Sequence, residues 1–251
     1  MDKGILMRFL SRFCTLWGLL SRIPLPLFLQ RLDRQPLSEA LPLIPLVGAL
    51  LGLLVAVPPF LVANLIPLPA AAWISTFLYV ASGWSLHLDG WGDLWDGFGS
   101  GKSFEELRLV LKDSRCGSFG VIGLILAIGL RSSLLAEIHV EHWIATSILA
   151  AGLGRFGICI AAYFGKYPWT AGMGKDAVEG FEIRQLKFSF IAILPLALLN
   201  PLGWLCSLLL ILLSSVLLAQ WSNKKLGGVN GDVLGAAAVA GELLTILCCI
   251  A

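Results

Sequence analysis

The 251-residue chain is 57% hydrophobic and only 14% charged, with a net charge of +2. Soluble domains carry about 25% charged residues, so a water-soluble globular protein is excluded, and the small net charge argues against nucleic acid as a partner. The stretch "LPLIPLVGALLGLLVAVPPFLVANLI" (41–66) contains no charged residue, and about 20 mostly apolar residues suffice to cross a bilayer core. We read the chain as an all-α, polytopic integral membrane helical bundle. It has 6–7 transmembrane helices plus amphipathic surface helices, in a single membrane-embedded domain over residues 1–251.

Residues 5–21, with Arg8 and Arg12 four apart, predict an amphipathic helix on the membrane surface. The same arginines and the lack of a small-residue cleavage site argue against a removable signal peptide. Apolar spans are predicted at 41–66, 69–87, 117–136, 142–164, 188–200, 203–221 and 232–251. The fifth is short, and "LLNPLGW" (198–204) reads as a turn or as a kink in one longer element. Between the second and third, "SFEELRLVLKD" (103–113) predicts a surface helix, with Ser103 as N-cap and Glu106 as capping-box partner. Of the 18 Lys and Arg residues, all but Arg131 and Arg155 fall in segments on one side of this arrangement. That side is expected to be cytoplasmic, which implies a bacterial-type inner membrane with the working face inward. The six cysteines form no C-x-x-C pair, so neither a zinc site nor a disulfide framework is indicated. No internal repeat is visible, which argues against an inverted-repeat transporter.

The segment "HLDGWGDLWDGFGSGKS" (87–103) carries two competing signals. Its tail resembles a phosphate loop, but with Gly101-Lys102-Ser103 in register the leading glycine is replaced by Asp96, and no strand precedes it. Gly97, Gly99 and Gly101 then read as a flexible exit. Its head places Asp89, Asp93 and Asp96 at i, i+4 and i+7, which on a helix share one face over roughly 10 Å. Three like charges in a row destabilise a helix. A hard divalent cation such as Mg²⁺, bound by carboxylates, water and phosphate, would compensate. A solvated loop is the bland alternative. It is weakened by the adjoining apolar span and by Trp91 and Trp95, which suit a membrane interface. His87 reads as an interfacial hydrogen-bonding residue. Spacing alone leaves open whether 89–96 is helix or unwound turn.

"LKDSRCGSFG" (111–120) sets Lys112, Asp113 and Arg115 before the third span, and the helix N-terminus at Gly117-Ser118 is itself an anion site. Ordinary positive-inside decoration explains these basic residues equally well. In "GGVNGDVLGAAAVAGELL" (227–244), Asp232 opens the last span and the small residues from Gly235 to Gly241 allow close helix approach. Glu242 then lies about 15 Å deeper, at nearly the depth of Arg155, and the two are expected to pair. Arg131, nearer the outer end of its span, is expected to snorkel.

Four ordered motifs, "SRIPLP" (21–26), "HLDGWGDLWDG" (87–97), "KDSRCGSFGVIGL" (112–124) and "GGVNGDVLGAAAVAGE" (227–242), resemble the cobalamin synthase, or adenosylcobinamide-GDP ribazoletransferase, family. The resemblance covers most of the chain. It is weakest at "GKYPWTAGMGKDAVEG" (165–180), where the Arg-Pro pair of many family members is absent. It implies a membrane enzyme that joins adenosylcobinamide-GDP to α-ribazole, or to its 5′-phosphate, releases GMP and requires Mg²⁺. On that reading Asp89, Asp93 and Asp96 hold one or two ions, Asp232 completes the metal shell, and Asp96 is a candidate acceptor for the hydroxyl proton. Lys112, Asp113, Arg115, Arg155 and Asn230 are the candidate phosphate or substrate contacts, and Glu242 is the intramembrane partner. The number of assembled chains stays open, a homo-oligomer included. Two rivals stand beside this reading. Enzymes that move an alcohol onto CDP-linked lipids use spaced aspartates too, but their pattern needs an Ala-Arg pair that is absent after Asp89-Gly90 in this chain. A cation transporter would distribute acidic residues through the spans rather than at one face.

Overall fold

The computed structural model describes residues 3–99, 115–172 and 174–250. Among these every regular element is helical: α1 (Lys3–Leu20), α2 (Leu27–Gln30), α3 (Leu37–Ala40), α4 (Ile44–Val62), α5 (Leu68–Tyr79), α6 (Ser85–Gly99), α7 (Ser118–Glu137), α8 (Trp143–Phe164), α9 (Lys175–Glu179), α10 (Ile183–Ile193), α11 (Pro201–Lys225) and α12 (Gly231–Ile250). The surface helix expected at 103–113 lies outside the described residues, as do Lys112 and Asp113.

Among the described residues five helices are long and apolar enough to cross a membrane: Leu37–Val62, Ser118–Glu137, Val140–Phe164, Pro201–Lys225 and Gly231–Ile250. The chain is thus a multi-pass membrane protein. The other two expected spans take different forms. The second is broken between α5 and α6, and the fifth is α10 with a 3₁₀ extension (Leu194–Leu198) that stops at Asn200. Asn200 caps α11 by accepting the Gly203 amide at 2.9 Å, so "LLNPLGW" is a turn between two helices.

The layering follows from side-chain size. The most apolar window of α8 is 83% buried, against 33% for α7 and α11, so α8 is the central helix and the other two face outward. Small residues make the centre close-packed. A Cβ on Gly48 of α4 would lie 2.4 Å from the Ala151 carbonyl of α8, and one on Gly241 of α12 would lie 2.9 Å from the Gly154 Cα. Exposed Ile122, Ile125 and Leu126 on α7, and Leu209, Leu213 and Leu217 on α11, form apolar outer faces suited to lipid. Helix α1 is amphipathic as expected, but its end is not confined to the surface: Leu16, Trp17 and Leu20 are buried in the core.

One backbone feature sets the direction of α6. A π-turn (Val80–Trp84) joins it to α5, and within it Gly83 has φ = 144°. The "SRIPLP" segment packs on this break: the Arg22 amide donates to the Ser82 carbonyl at 2.7 Å, and the Trp17 indole donates to the Ile23 carbonyl at 2.7 Å. A Cβ on Gly83 would lie 2.0 Å from the Leu20 carbonyl oxygen. Gly83→Ala therefore combines positive-φ strain, about 1–3 kcal/mol, with a backbone overlap. It is expected to lower the thermal midpoint in detergent, and unchanged stability would contradict the packing described.

Candidate functional site: an acidic face on α6

Residues 89–96 are helical, which closes the alternative of an unwound turn. Asp89 is exposed, and Asp93 and Asp96 are half-buried on the same side of α6. The glycines between them are packing devices. A Cβ on Gly90 would lie 2.6 Å from the Asp232 Cα, so α12 crosses α6 at backbone contact and brings Asp232 to the aspartate face. A Cβ on Gly99 would meet the Phe119 ring of α7 at 2.1 Å. Gly97 and Gly99 are thus part of the helix and not a flexible exit, and at Gly99 α7 needs the space; Gly101 lies outside the described residues.

The carboxylates share one field. Burial, followed by the charges of Asp232, Asp89 and Asp96, pushes the Asp93 carboxyl up to about 7. Asp232 is held by its neighbour Asn230, whose Nδ2 donates to Asp232 Oδ2 at 2.6 Å while its Oδ1 accepts the Val233 amide at 3.1 Å. Asn230 is therefore the buried N-cap of α12. Both ends of its amide are engaged in orienting Asp232, a structural role beside the substrate contact expected for it.

Asp96 departs from the other carboxylates. Its Oδ2 accepts the Gly117 amide and its Oδ1 the Gly120 amide, each at 2.7 Å. The anion site predicted at the N-terminus of α7 exists, but this aspartate fills it. Gly117 and Gly120 are required there, since a Cβ on either would fall within 2.4 Å of the carboxylate. Asp96 therefore docks α7 on α6 through both carboxylate oxygens, and this docking role stands alongside the metal-ligand and proton-acceptor roles expected for it. Asp96→Ala is expected to cost about 2 kcal/mol of stability, while a phosphate-transfer activity falls much less than on removing Asp93. Denaturation in detergent alongside an activity assay checks both.

Arg115 is exposed just before α7, on the same end of the bundle. Deeper lies the intramembrane pair: Arg155 Nη1 meets Glu242 Oε1 at 2.6 Å, with both side chains buried. The pairing is as expected, and it buries the Arg155 side chain, also a candidate substrate contact, at 0% exposure. Arg131 departs from its expected position. Instead of snorkelling it is 3% exposed. It donates to Thr76 Oγ1 at 2.9 Å and lies 4.6 Å over the Tyr79 ring and 5.5 Å from that of Trp84. The Tyr79 hydroxyl completes the cluster, accepting from Arg155 at 2.6 Å and donating to Glu242 at 2.9 Å.

Sequence reasoning missed Tyr79 and Tyr167. A tyrosine inside an apolar span needs a partner for its hydroxyl, which was the available signal for Tyr79. Tyr167, in the loop after α8, has its hydroxyl pushed up by burial and then by the charge of Asp232, so it stands near the acidic face. His87, expected at the interface, is buried against α12, where a Cβ on Gly235 would lie 3.2 Å from its Cα.

Among the described residues no three His, Cys, Asp or Glu side chains close into a metal cage. Asp89, Asp93 and Asp232 offer an open, oxygen-only acidic face whose mutual repulsion a cation would relieve. That donor chemistry fits Mg²⁺, which keeps water and takes few protein carboxylates. It does not fit zinc, which prefers nitrogen and sulfur in a closed tetrahedron.

The family model for cobalamin-5-phosphate synthase matches residues 12–250. The chain belongs to the cobalamin-5-phosphate synthase family. It is accordingly a membrane-embedded transferase of cobalamin biosynthesis. Similar proteins include the adenosylcobinamide-GDP ribazoletransferases of Clostridium acetobutylicum, 29% identical over 92% of each chain, and of Geotalea daltonii, 30% identical over 92% of this chain and 94% of the relative. That of Syntrophobacter fumaroxidans is 30% identical over 94% of this chain and 96% of the relative. No solved structure matches the chain. Family membership favours the transferase over the lipid head-group enzyme and the transporter weighed above.

Proposed function

We propose that this transferase joins adenosylcobinamide-GDP to α-ribazole or α-ribazole 5′-phosphate, with release of GMP, at the acidic face of α6. The observation that carries the reading is the crossing at Gly90, which sets Asp232 against the helix bearing Asp89 and Asp93. In the reaction the ribazole hydroxyl attacks the phosphorus bearing the cobinamide, the pyrophosphate bond breaks, GMP departs with the bonding electrons, and the hydroxyl proton passes to water. Such a transfer needs positioning and charge neutralisation more than covalent help from the protein. Asp89, Asp93 and Asp232 would hold Mg²⁺, which when bound neutralises pyrophosphate charge.

The chain's own residues supply the frame. Asn230 fixes the rotamer of Asp232, and Asp96 locks α7 beside α6 so that Arg115 stands at the same end of the bundle, where its guanidinium can fork to phosphate. Lys112, outside the described residues, remains a candidate for phosphate, and Asp113, also outside them, for another substrate contact. The basic residues favour placing this face in the cytoplasm of a bacterial-type inner membrane. The test is GMP release by the purified protein from adenosylcobinamide-GDP and α-ribazole, with and without Mg²⁺. Release that needs both substrates and the metal supports the reading; hydrolysis of the GDP derivative without ribazole incorporation overturns it.

A further inference from the structure

Behind the acidic face, α6 presents a second surface. Trp91, Trp95 and Phe98, on the side of the helix opposite the aspartates, form with Ser214 and Leu218 of α11 and Ala240 of α12 a groove of about 370 Å³. Ser214 brings the one hydroxyl of its lining, and the volume falls within the range of small-molecule sites, on the order of 300–1,000 Å³. The groove opens on the outer face of the bundle, where Phe98 and Leu217 are both exposed.

Its two ends differ in chemistry. Ser214, Leu218, Trp221 and Lys225 follow one another at helical spacing along a single stripe of α11. The Trp221 ring stacks on Phe98 at 4.1 Å between centroids and bounds the groove toward the basic end of the bundle. Lys225, exposed, lies about 6 Å further along that stripe. An apolar slot between membrane-spanning helices, an aromatic collar and then a cation form the pattern of a membrane interface. One ligand chemistry matches both ends: an apolar chain attached to an anionic head group.

We propose that this groove binds an anionic phospholipid, with an acyl chain along α6, α11 and α12 and the head group at Lys225. Because the same helix carries Asp89 and Asp93 on its other side, the bound chain braces the acidic face from behind. The site is independent of the transferase chemistry, and its test does not use that reaction.

Full-length protein is placed in vesicles of phosphatidylcholine with and without phosphatidylglycerol, and retained lipid is identified by native mass spectrometry. Wild type is expected to retain phosphatidylglycerol in preference to phosphatidylcholine. Leu218→Trp, which fills the slot, should lose the retained molecule. Lys225→Ala should weaken retention about fivefold, as expected for one cation near a lipid surface. Lys224→Ala, about a quarter turn off the stripe, should leave retention unchanged. Equal losses for Lys224→Ala and Lys225→Ala would reduce the effect to general surface charge and overturn the site. Undiminished retention in Leu218→Trp would also overturn it. So would a wild-type dimer without retained lipid that Leu218→Trp dissociates, since the groove would then belong to a second copy of the chain.

Discussion

Asp93→Asn should lower GMP release from adenosylcobinamide-GDP at least about a hundredfold, because it removes charge from the centre of the acidic face where several kcal/mol of phosphate neutralisation would be organised. The same residue predicts a pH dependence with a definite sign. Its carboxyl is raised to about 7 by burial and by Asp232, Asp89 and Asp96. Above that pH it is a carboxylate available to a cation; below it, a proton occupies the position. The Mg²⁺ concentration needed for half-maximal activity should therefore rise as pH falls through about 7. Normal Mg²⁺-dependent release by Asp93→Asn would remove the metal reading. A metal requirement that does not change with pH would remove Asp93 from it while leaving Asp89 and Asp232.

Glu242→Gln is expected to cost about 3–5 kcal/mol of stability, the range for breaking one side of a buried ion pair. Two guanidinium groups, Arg155 and Arg131, share this interior with the single Glu242 carboxylate and the Tyr79 hydroxyl. Neutralising the glutamate leaves both cations without a counter-charge in a region where an unpaired charge is expensive. Thermal unfolding in detergent measures the loss. Arg155→Met combined with Glu242→Met should recover the part due to Arg155, since removing both members of a buried pair costs far less than removing one, while the part due to Arg131 persists. A Glu242→Gln variant as stable as wild type would show that the cluster is held together by packing alone. The cluster joins α5, α8 and α12 below the acidic face, and a Cβ on Gly154 of α8 would lie 2.4 Å from Glu242 Cγ. Loosening it should therefore also shift Asp232 relative to α6.

Much of the site was legible because helical periodicity is local. The spacing of Asp89, Asp93 and Asp96 places them on one face before any neighbour is known, and counting turns from the span ends puts Arg155 and Glu242 at matching depth. The small residues from Gly235 to Gly241 announced a close helix contact, and α12 meets both α6 and α8 through them. What spacing could not show has one cause. Asp96 belongs to the acidic row by spacing, and its oxygens also accept the Gly117 and Gly120 amides because of where α7 docks. Arg131 has the sequence position of a snorkelling residue, but Thr76 and Tyr79 of α5 receive it instead.

The amino-acid sequence by itself determined that this protein lives in a membrane, which end of the bundle is basic, and which acidic residues share a helix face. These follow from hydropathy and from a period of about 3.6 residues, both properties of short segments. Only the tertiary structure decided which carboxylate also docks a neighbouring helix, because a hydrogen bond depends on angstrom-scale approach between segments far apart in the chain. The same reason applies to Gly83: its residue type permits a positive φ, but the need for it arises from the Leu20 carbonyl lying against it.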